Sequence, residues 1–228
     1  MKLAARYVQI DNWLSVEEHR HLLNYVSQQQ PNFEPADMPF EGAVHRKAWV
    51  LFSFPEFSSL VEARIQAIFP DILAQLSLPS FEISQIEAQL TAHNDGNYYK
   101  IHTDNGIYHK SFESKVKTRL LTYVYYFHNE PKAFSGGELR LYDSTIVDNL
   151  YCYADSFQSI EPRNNRMIFF LSRQFHEVMP VSCSSQAFAD SRFTINGWIH
   201  GLRPKSSPHR ALSVRAGLKI GAPGGEVS

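Results

Sequence analysis

Two potential metal ligands, His102 and Asp104, stand two positions apart in the chain. In extended backbone, residues i and i+2 project from the same face, so that one cation can contact both side chains. A third candidate, His176, follows the apolar run at 166–171, which reads as a strand. Two imidazoles and one carboxylate leave further coordination positions open, an arrangement that suits Fe(II). The sequence therefore predicts a metal site built from these three residues.

A permanently charged side chain, Arg192, opens the next predicted strand at 192–200. Its guanidinium offers a bidentate fork that suits a carboxylate. We therefore interpret Arg192 as the anchor for an anionic co-substrate. Each of these residues taken alone is more often structural than functional. Their combination is much more specific, because His176 follows one predicted strand and Arg192 lies on the next.

Two predicted helices come before most of the strands. Ser15, three residues before Glu18, is typical of a capping box and predicts a helix that runs to about Gln29. A second helix is expected after Pro55, with a break at Pro70, because proline inside a helix removes a backbone hydrogen bond. Both helices are expected to pack on a sheet and support the strands that carry the site.

Short strands dominate from about residue 81 onward, where β-branched and aromatic residues alternate with polar ones. Helices followed by about eight short strands predict a mainly β sandwich or jelly roll with helices on one side. Irregular loops are expected at 32–46 and 105–117. The predicted strands are 7–10, 47–54, 82–92, 118–127, 138–142, 158–161, 166–171, 175–181 and 192–200.

Composition limits the class of protein. The 228 residues are 43% hydrophobic, which is ample for a core, and their formal charge of −1 gives no general attraction to nucleic acid or membrane. No run approaches the roughly 18 apolar residues of a membrane helix. The chain has two cysteines without paired spacing, so we expect a reducing, cytoplasmic setting. We predict a single domain at 1–202, with helical support at 1–80 and the β core at 81–202, followed by a flexible tail at 203–228; the oligomeric state stays open.

The motifs together resemble the Fe(II)/2-oxoglutarate-dependent dioxygenases, within them the prolyl 4-hydroxylase-like branch. This resemblance covers roughly 85–201 and implies a double-stranded β-helix, also called a cupin-like jelly roll. It also implies Fe(II) as metal, with 2-oxoglutarate and O2 as co-substrates. The matching stretches, in the family's order, are 102–104, 119–126, 135–141, 161–163, 176–181 and 192–198.

The resemblance also implies roles for individual residues. His102, Asp104 and His176 would bind Fe(II). Arg192 would pair with the distal carboxylate of 2-oxoglutarate, and Tyr126 would hydrogen-bond the same carboxylate. An ordinary core aromatic is the alternative for Tyr126.

A second group of residues matches family positions near the substrate. Leu139 and Trp198 match positions that line the metal pocket, although a plain core role fits them equally well. Arg119 matches a basic residue at the substrate groove, with a surface arginine as the alternative. The family often has a tyrosine about ten residues before the first metal histidine, which is lacking here, and His93 could take over a polar role in the pocket.

Three functions follow as expectations. The first is hydroxylation of a prolyl residue in a protein or peptide, with release of succinate and CO2. The second is hydroxylation of a free amino acid or small metabolite, which would favour a closed pocket over an open groove. The third, less favoured because all four site residues are present, is a non-catalytic jelly-roll module that binds a metal or ligand.

Overall fold

The computed structural model describes residues 2–36, 38–40, 43–105, 119–148 and 150–201. Within these residues the chain forms two helices, α1 (Val16–Gln28) and α2 (Pro55–Leu76), and short antiparallel strands. The strands are β1 (Lys2–Leu3), β2 (Tyr7–Asp11), β3 (Glu34–Pro35), β4 (Met38–Phe40), β5 (Ala43–Lys47), β6 (Trp49–Leu51), β7 (Ile83–His93), β8 (Tyr98–His102), β9 (Arg119–Phe127), β10 (Ser135–Gly136), β11 (Leu139–Val147), β12 (Leu150–Ile160), β13 (Arg166–Leu171), β14 (His176–Val178), β15 (Val181–Ser182) and β16 (Arg192–Gly201).

Two seven-stranded sheets carry the architecture. The first, called here the helix-backed sheet, has the order β2-β13-β9-β16-β7-β6-β3. The second, called the facing sheet, has the order β1-β11-β14-β8-β5-β4, with β12 also paired to β11. A separate two-stranded pair joins β10 to β15. The expected mainly β jelly roll with supporting helices is confirmed, and the predicted strand at 7–10 is β2, at one edge of the helix-backed sheet.

Alternation along β13 shows how the layers are packed. Met167 and Phe169 belong to the large apolar cluster shared with both helices, whereas Ile168 and Phe170 point to the other side and pack with Leu141 of the facing sheet. All four are fully buried. A strand covered on both faces reads as a continuous apolar run, which explains why 166–171 is so strongly hydrophobic.

The first helix begins as its sequence predicts. The Ser15 hydroxyl accepts from the Glu18 backbone N–H, and the Glu18 carboxylate accepts from the Ser15 backbone N–H, which completes a capping box. The same carboxylate accepts two hydrogen bonds from Arg64 of α2, at 2.6 and 2.7 Å. One side chain thus caps α1 and ties it to α2 behind the helix-backed sheet.

The predicted break at Pro70 is wrong. Helix α2 runs through this proline to Leu76. Pro70 has no N–H to donate to the carbonyl oxygen of Gln66, four residues earlier in the helix. Both residues are exposed, so water can solvate this carbonyl oxygen. Phe69 and Ile72 are buried on the opposite side and continue the apolar stripe. Packing of that stripe holds the helix together.

The predicted strand at 47–54 and the predicted loop at 32–46 are also wrong. The chain passes between the sheets at buried Ala48, because β5 belongs to the facing sheet and β6 to the helix-backed sheet. Strand β6 ends at Leu51, the last residue that pairs with β7. Strands β3, β4 and β5 form where a loop was expected. Each is stabilised by pairing with another strand: β3 with β6, β4 with β5, and β5 also with β8.

The predicted strand at 175–181 is two short strands instead, because β14 pairs within the facing sheet and β15 pairs with β10. The hairpin of β11 and β12 is much longer than the predicted 138–142 and 158–161. The other predicted strands have boundaries close to expectation. Residues 106–117 of the predicted loop and the predicted tail at 203–228 lie outside the described residues, so the domain division there stays a prediction. In the part of the chain that is described, neither helix has the length and apolarity needed to cross a membrane.

Candidate metal centre

The three predicted ligands lie on or just after two paired strands of the facing sheet. His102 ends β8, Asp104 follows two residues later, and His176 begins β14 directly opposite His102 in the ladder. Their ligand atoms all lie within 4.8 Å of one another. The Asp104 carboxylate is 3.6 Å from Nε2 of His102 and 3.3 Å from Nε2 of His176. Among the described residues they form the one such group able to hold a metal ion.

Both histidines present the same ring nitrogen to the centre. Nδ1 of His102 lies 2.7 Å from the carbonyl oxygen of Lys100, and Nδ1 of His176 lies 2.9 Å from that of Gln174. A carbonyl oxygen can only accept a hydrogen bond, so Nδ1 carries the proton in each neutral ring. The lone pair on Nε2 is therefore free to coordinate a cation.

The Asp104 carboxylate is held by a buried chain of hydroxyl groups. Thr122 of β9 donates to its Oδ2 at 2.6 Å, and the Thr122 oxygen lies 3.0 Å from the Ser172 hydroxyl. The backbone N–H of Asp104 also donates to the Ser172 carbonyl at 2.9 Å. The helix-backed sheet thus orients a ligand of the facing sheet, which fixes the carboxylate against rotation.

Burial disfavours the charged form of both kinds of ligand, so it raises the pKa of a carboxyl group and lowers the pKa of an imidazole. Burial alone would raise the pKa of Asp104, but His176, His102 and the Thr122 hydroxyl outweigh it and hold the pKa below its usual value. Burial, reinforced by the neighbouring His176, lowers the pKa of His102 well below its usual value. A charged carboxylate beside a neutral imidazole is the protonation state that a divalent cation requires.

Aromatic rings enclose the two histidines. Tyr99 stacks on His102, with ring centroids 3.5 Å apart, and Phe170 meets His176 edge-on at 4.9 Å. Burial raises the pKa of Tyr99 to about 12, and the Asp104 charge adds to this effect. Tyr99 was not predicted as a site residue. Its position three residues before His102 is the sequence feature that could have identified it. Thr122 was not predicted either, because in the sequence it resembles any β-branched strand residue.

A second polar cluster contains the predicted co-substrate residues. Arg192 is only 2% exposed, and its Nε donates to the Gly137 carbonyl at 2.8 Å. Its guanidinium carbon lies 4.9 Å from the Tyr126 ring centroid. The Tyr126 hydroxyl is buried and forms no hydrogen bond of normal geometry with a described residue, although the Arg192 guanidinium lies close enough to interact with it. A buried cation beside a hydroxyl group is a surrounding that suits an incoming carboxylate.

The backbone makes room for this arginine. Gly137 has φ +73°, and a Cβ there would lie 2.6 Å from Cδ of Arg192. Glycine is required for both the left-handed conformation and the close approach. His93, at the end of β7, lies opposite Arg192 in the ladder, and its Nδ1 is 3.4 Å from the guanidinium. The structure therefore places His93 in the Arg192 cluster.

The other predicted pocket residues lie in two places. Arg119 stacks on Trp198 at 3.5 Å, forms an ion pair with Glu87 and donates to the Asp104 carbonyl at 3.5 Å. These contacts place Arg119 and Trp198 beside the metal ligand. Leu139 is buried in the apolar cluster that contains Tyr126 and Phe170, between the two sheets. Leu139 thus lies near the co-substrate cluster.

Comparison with known proteins agrees with this geometry. Residues 88–200, which include every predicted site residue, match the model of the 2OG-Fe(II) oxygenase superfamily. An uncharacterized PKHD-type hydroxylase of Synechocystis is 46% identical over 199 residues, which cover 86% of this chain and 64% of that protein. The chain belongs to the 2OG-Fe(II) oxygenase superfamily.

Two further proteins extend the comparison. A prolyl 3-hydroxylase of Drosophila melanogaster is 26% identical over 172 residues, covering 68% of this chain and 29% of that protein. The crystal structure of a Pseudomonas putida prolyl-4-hydroxylase has the same fold, with a TM-score of 0.60 and 20% identity over 87% of this chain and 94% of that one. The chain spans less than two thirds of the length of both curated relatives.

Membership of this superfamily implies Fe(II), 2-oxoglutarate and O2. The residues present fit these groups. Two imidazoles and a carboxylate are ligands that suit Fe(II) and leave positions open. Arg192 and the Tyr126 hydroxyl fit a carboxylate.

Proposed function

We propose that this 2OG-Fe(II) oxygenase hydroxylates a prolyl residue in a protein or peptide. The observation that carries the oxygenase part is the His102–Asp104–His176 group, together with the buried cation Arg192. When bound, Fe(II) and 2-oxoglutarate would allow O2 to act as the oxidant, so that one oxygen atom enters an unactivated C–H bond of the substrate and the other enters succinate, with release of CO2. The protein supplies orientation, charge and a dry pocket.

Each residue has one part in this proposal. His102, Asp104 and His176 hold the metal through Nε2, a carboxylate oxygen and Nε2. Arg192 neutralises the distal carboxylate of 2-oxoglutarate, and Tyr126 donates a hydrogen bond to it. Apolar side chains between the sheets exclude water from this pocket, which strengthens these interactions.

The prolyl substrate is proposed from two of the similar proteins. Both the Drosophila relative and the Pseudomonas structure are prolyl hydroxylases by name. Trp198 and Arg119 lie beside Asp104 and are the proposed lining on the substrate side. Arg119 already has three internal contacts, so we expect it chiefly to hold Trp198 and the Asp104 backbone in place. The cytoplasm, expected from the cysteine content, stays the proposed location.

The test measures succinate formed from 2-oxoglutarate by the Fe(II)-loaded chain, with and without candidate substrates. A panel of proline-containing peptides is compared with the same peptides carrying alanine at the proline, and with free amino acids. We expect succinate release to rise only with proline-containing peptides, and the peptide mass to increase by one oxygen atom. His176→Ala, which removes one metal ligand, serves as the inactive control.

The possible outcomes separate the parts of the proposal. Turnover with free amino acids and not with peptides would contradict the proposed peptide substrate and indicate a small-molecule substrate. It would still support the oxygenase activity. Failure of the wild-type chain to bind Fe(II) and 2-oxoglutarate together, with the protein folded, would contradict the oxygenase part. The non-catalytic binding module would then be the better description.

A further inference from the structure

A carboxylate on β7, that of Glu87, lies behind the residues that flank the metal centre. Glu87 is directly opposite Trp198 in the ladder of β7 and β16, and Trp198 is directly opposite Thr122 in the ladder of β16 and β9. Residues opposite each other in antiparallel strands project from the same face of a sheet. The three side chains therefore form one row between the sheets, and Thr122 at the end of this row donates to Asp104.

The Glu87 carboxylate holds Arg119 in a fixed position. One carboxylate oxygen accepts from Nη2 of Arg119 at 2.5 Å, and the other lies 3.1 Å from Nε2 of His200. The side chains of Glu87 and Arg119 are only 22% and 18% exposed. The Glu87 backbone is fixed as well, because its carbonyl oxygen accepts from the Tyr123 hydroxyl at 2.8 Å. A charged pair that is largely shielded from water orients its members more firmly than an exposed pair does.

Arg119 in turn contacts two parts of the metal centre. Its guanidinium carbon lies 3.5 Å from the Trp198 ring centroid, and its Nη1 donates to the Asp104 carbonyl oxygen at 3.5 Å. The Trp198 N–H group makes no hydrogen bond of normal geometry with a described residue, but it lies close enough to the Asp104 carboxylate to help lower the pKa of that group. Arg119 therefore acts on Asp104 both directly and through Trp198.

We infer that Glu87 is a positioning residue of the metal centre, which acts through Arg119. Its charge holds the Arg119 guanidinium flat against Trp198, and this stacked pair keeps Asp104 in the orientation that metal binding requires. Without that charge, Arg119 would lose its ion-pair partner and Trp198 would lose the cover that fixes its ring. This inference rests on the proposed function, because it concerns the affinity of the proposed metal ligands for Fe(II).

The first test measures Fe(II) affinity in a double-mutant cycle. Glu87→Gln keeps the shape of the side chain and removes its charge, and Arg119→Gln removes the residue through which Glu87 acts. Anaerobic titration of the full chain with Fe(II) gives the dissociation constant. We expect Glu87→Gln alone to raise this constant about tenfold, the lower end of the range for residues that support metal ligands. In the Arg119→Gln background, Glu87→Gln should change it by less than about twofold, because residues that act as one unit are not additive.

Glu177→Gln is the matched control. Glu177 forms an ion pair with Arg140, its side chain is 21% exposed, and it directly follows the proposed ligand His176. Successive side chains of a strand project from opposite faces, so this carboxylate points away from the metal centre. We expect the control to bind Fe(II) within about twofold of wild type. Equal losses in the two glutamine variants, or equal effects of Glu87→Gln in both backgrounds, would overturn the inference.

A second measurement follows Trp198 itself. The chain has three tryptophans, so protein labelled with 5-fluorotryptophan gives three fluorine NMR resonances, and Trp198→Phe identifies the one from Trp198. In the metal-free chain, Glu87→Gln should shift this resonance and leave those of Trp13 and Trp49 unchanged. In the wild type, added Zn(II) should also shift it, because Trp198 lies beside Asp104.

The outcomes separate this inference from the proposed function. A wild-type Trp198 resonance that does not respond to bound Zn(II) would contradict the link between Trp198 and Asp104, even if Glu87→Gln does not fold. Wild-type Fe(II) affinity in a folded Glu87→Gln variant would contradict the role of Glu87 alone. Lack of metal binding by the wild type would instead contradict the proposed function, and the inference with it.

Discussion

Replacing Thr122 by valine tests whether the buried hydroxyl chain orients the metal carboxylate. Thr122 is 3% exposed and its hydroxyl donates to Asp104 at 2.6 Å, whereas valine keeps the shape and removes the donor. A hydrogen bond to a charged group contributes about 1.5–3 kcal/mol, and about 1.4 kcal/mol corresponds to a factor of ten in affinity. If metal binding must re-impose the lost orientation, Thr122→Val should bind Fe(II) about 10- to 100-fold more weakly.

The assay is an anaerobic titration of the purified chain with Fe(II), and thermal unfolding of the metal-free protein is recorded in parallel. Thr91→Val is the matched control, because Thr91 is 1% exposed and its hydroxyl donates to the Asn196 side chain at 2.8 Å, away from the three proposed metal ligands. Both variants should lose stability, but only Thr122→Val should lose metal affinity. Wild-type affinity in Thr122→Val, or an equal loss in Thr91→Val, would refute the reasoning.

Three further predictions follow from single contacts. Gly137→Ala should weaken 2-oxoglutarate binding at least tenfold in a calorimetric titration, because its Cβ would displace Arg192, the proposed co-substrate residue. Gly96→Ala is the control: Gly96 has φ +67° but open space around its Cβ, so the substitution should cost only about 1 kcal/mol of stability. Burial lowers the pKa of His19, so below about pH 6.5 the unfolded chain binds more protons than the folded chain. The free energy of unfolding should therefore fall from pH 7 to pH 5. His19→Gln should make this fall smaller, as measured by urea unfolding at each pH. The hydrogen bond from Arg166 lowers the pKa of Asp11. Asp11→Asn should therefore reduce the free energy of unfolding by about 1 kcal/mol at pH 7. The difference in unfolding free energy between variant and wild type should shrink as the pH falls below about 4, because Asp11 is then protonated.

Local signals in the sequence were sufficient for several elements. The capping box at Ser15 predicted where α1 begins, because a cap depends on residues within one helical turn. The apolar run at 166–171 coincides with β13, since a strand buried on both faces needs apolar residues throughout. The chemistry of His102, Asp104 and His176 was also readable, because the choice of metal ligands is limited to a few residue types.

Boundaries that depend on a distant partner were not readable. Helix α2 continues through Pro70 because the apolar stripe beyond it packs on the helix-backed sheet, and no local rule includes that packing. The crossing between the sheets at Ala48 depends on where β7 and β8 offer free edges. Both features are set by contacts between residues far apart in the chain.

The sequence by itself determined which side chains could bind a metal and an anion, because ligand chemistry belongs to the residue type. Only the tertiary structure decided how they are held and what surrounds them. Thr122 became part of the metal site because β9 passes beneath Asp104, and His93 joined the Arg192 cluster because β7 and β16 pair in that register. Hydrogen bonds are effective only over about 3 Å, so the partners of each site residue depend on the three-dimensional arrangement of strands that are separated in sequence.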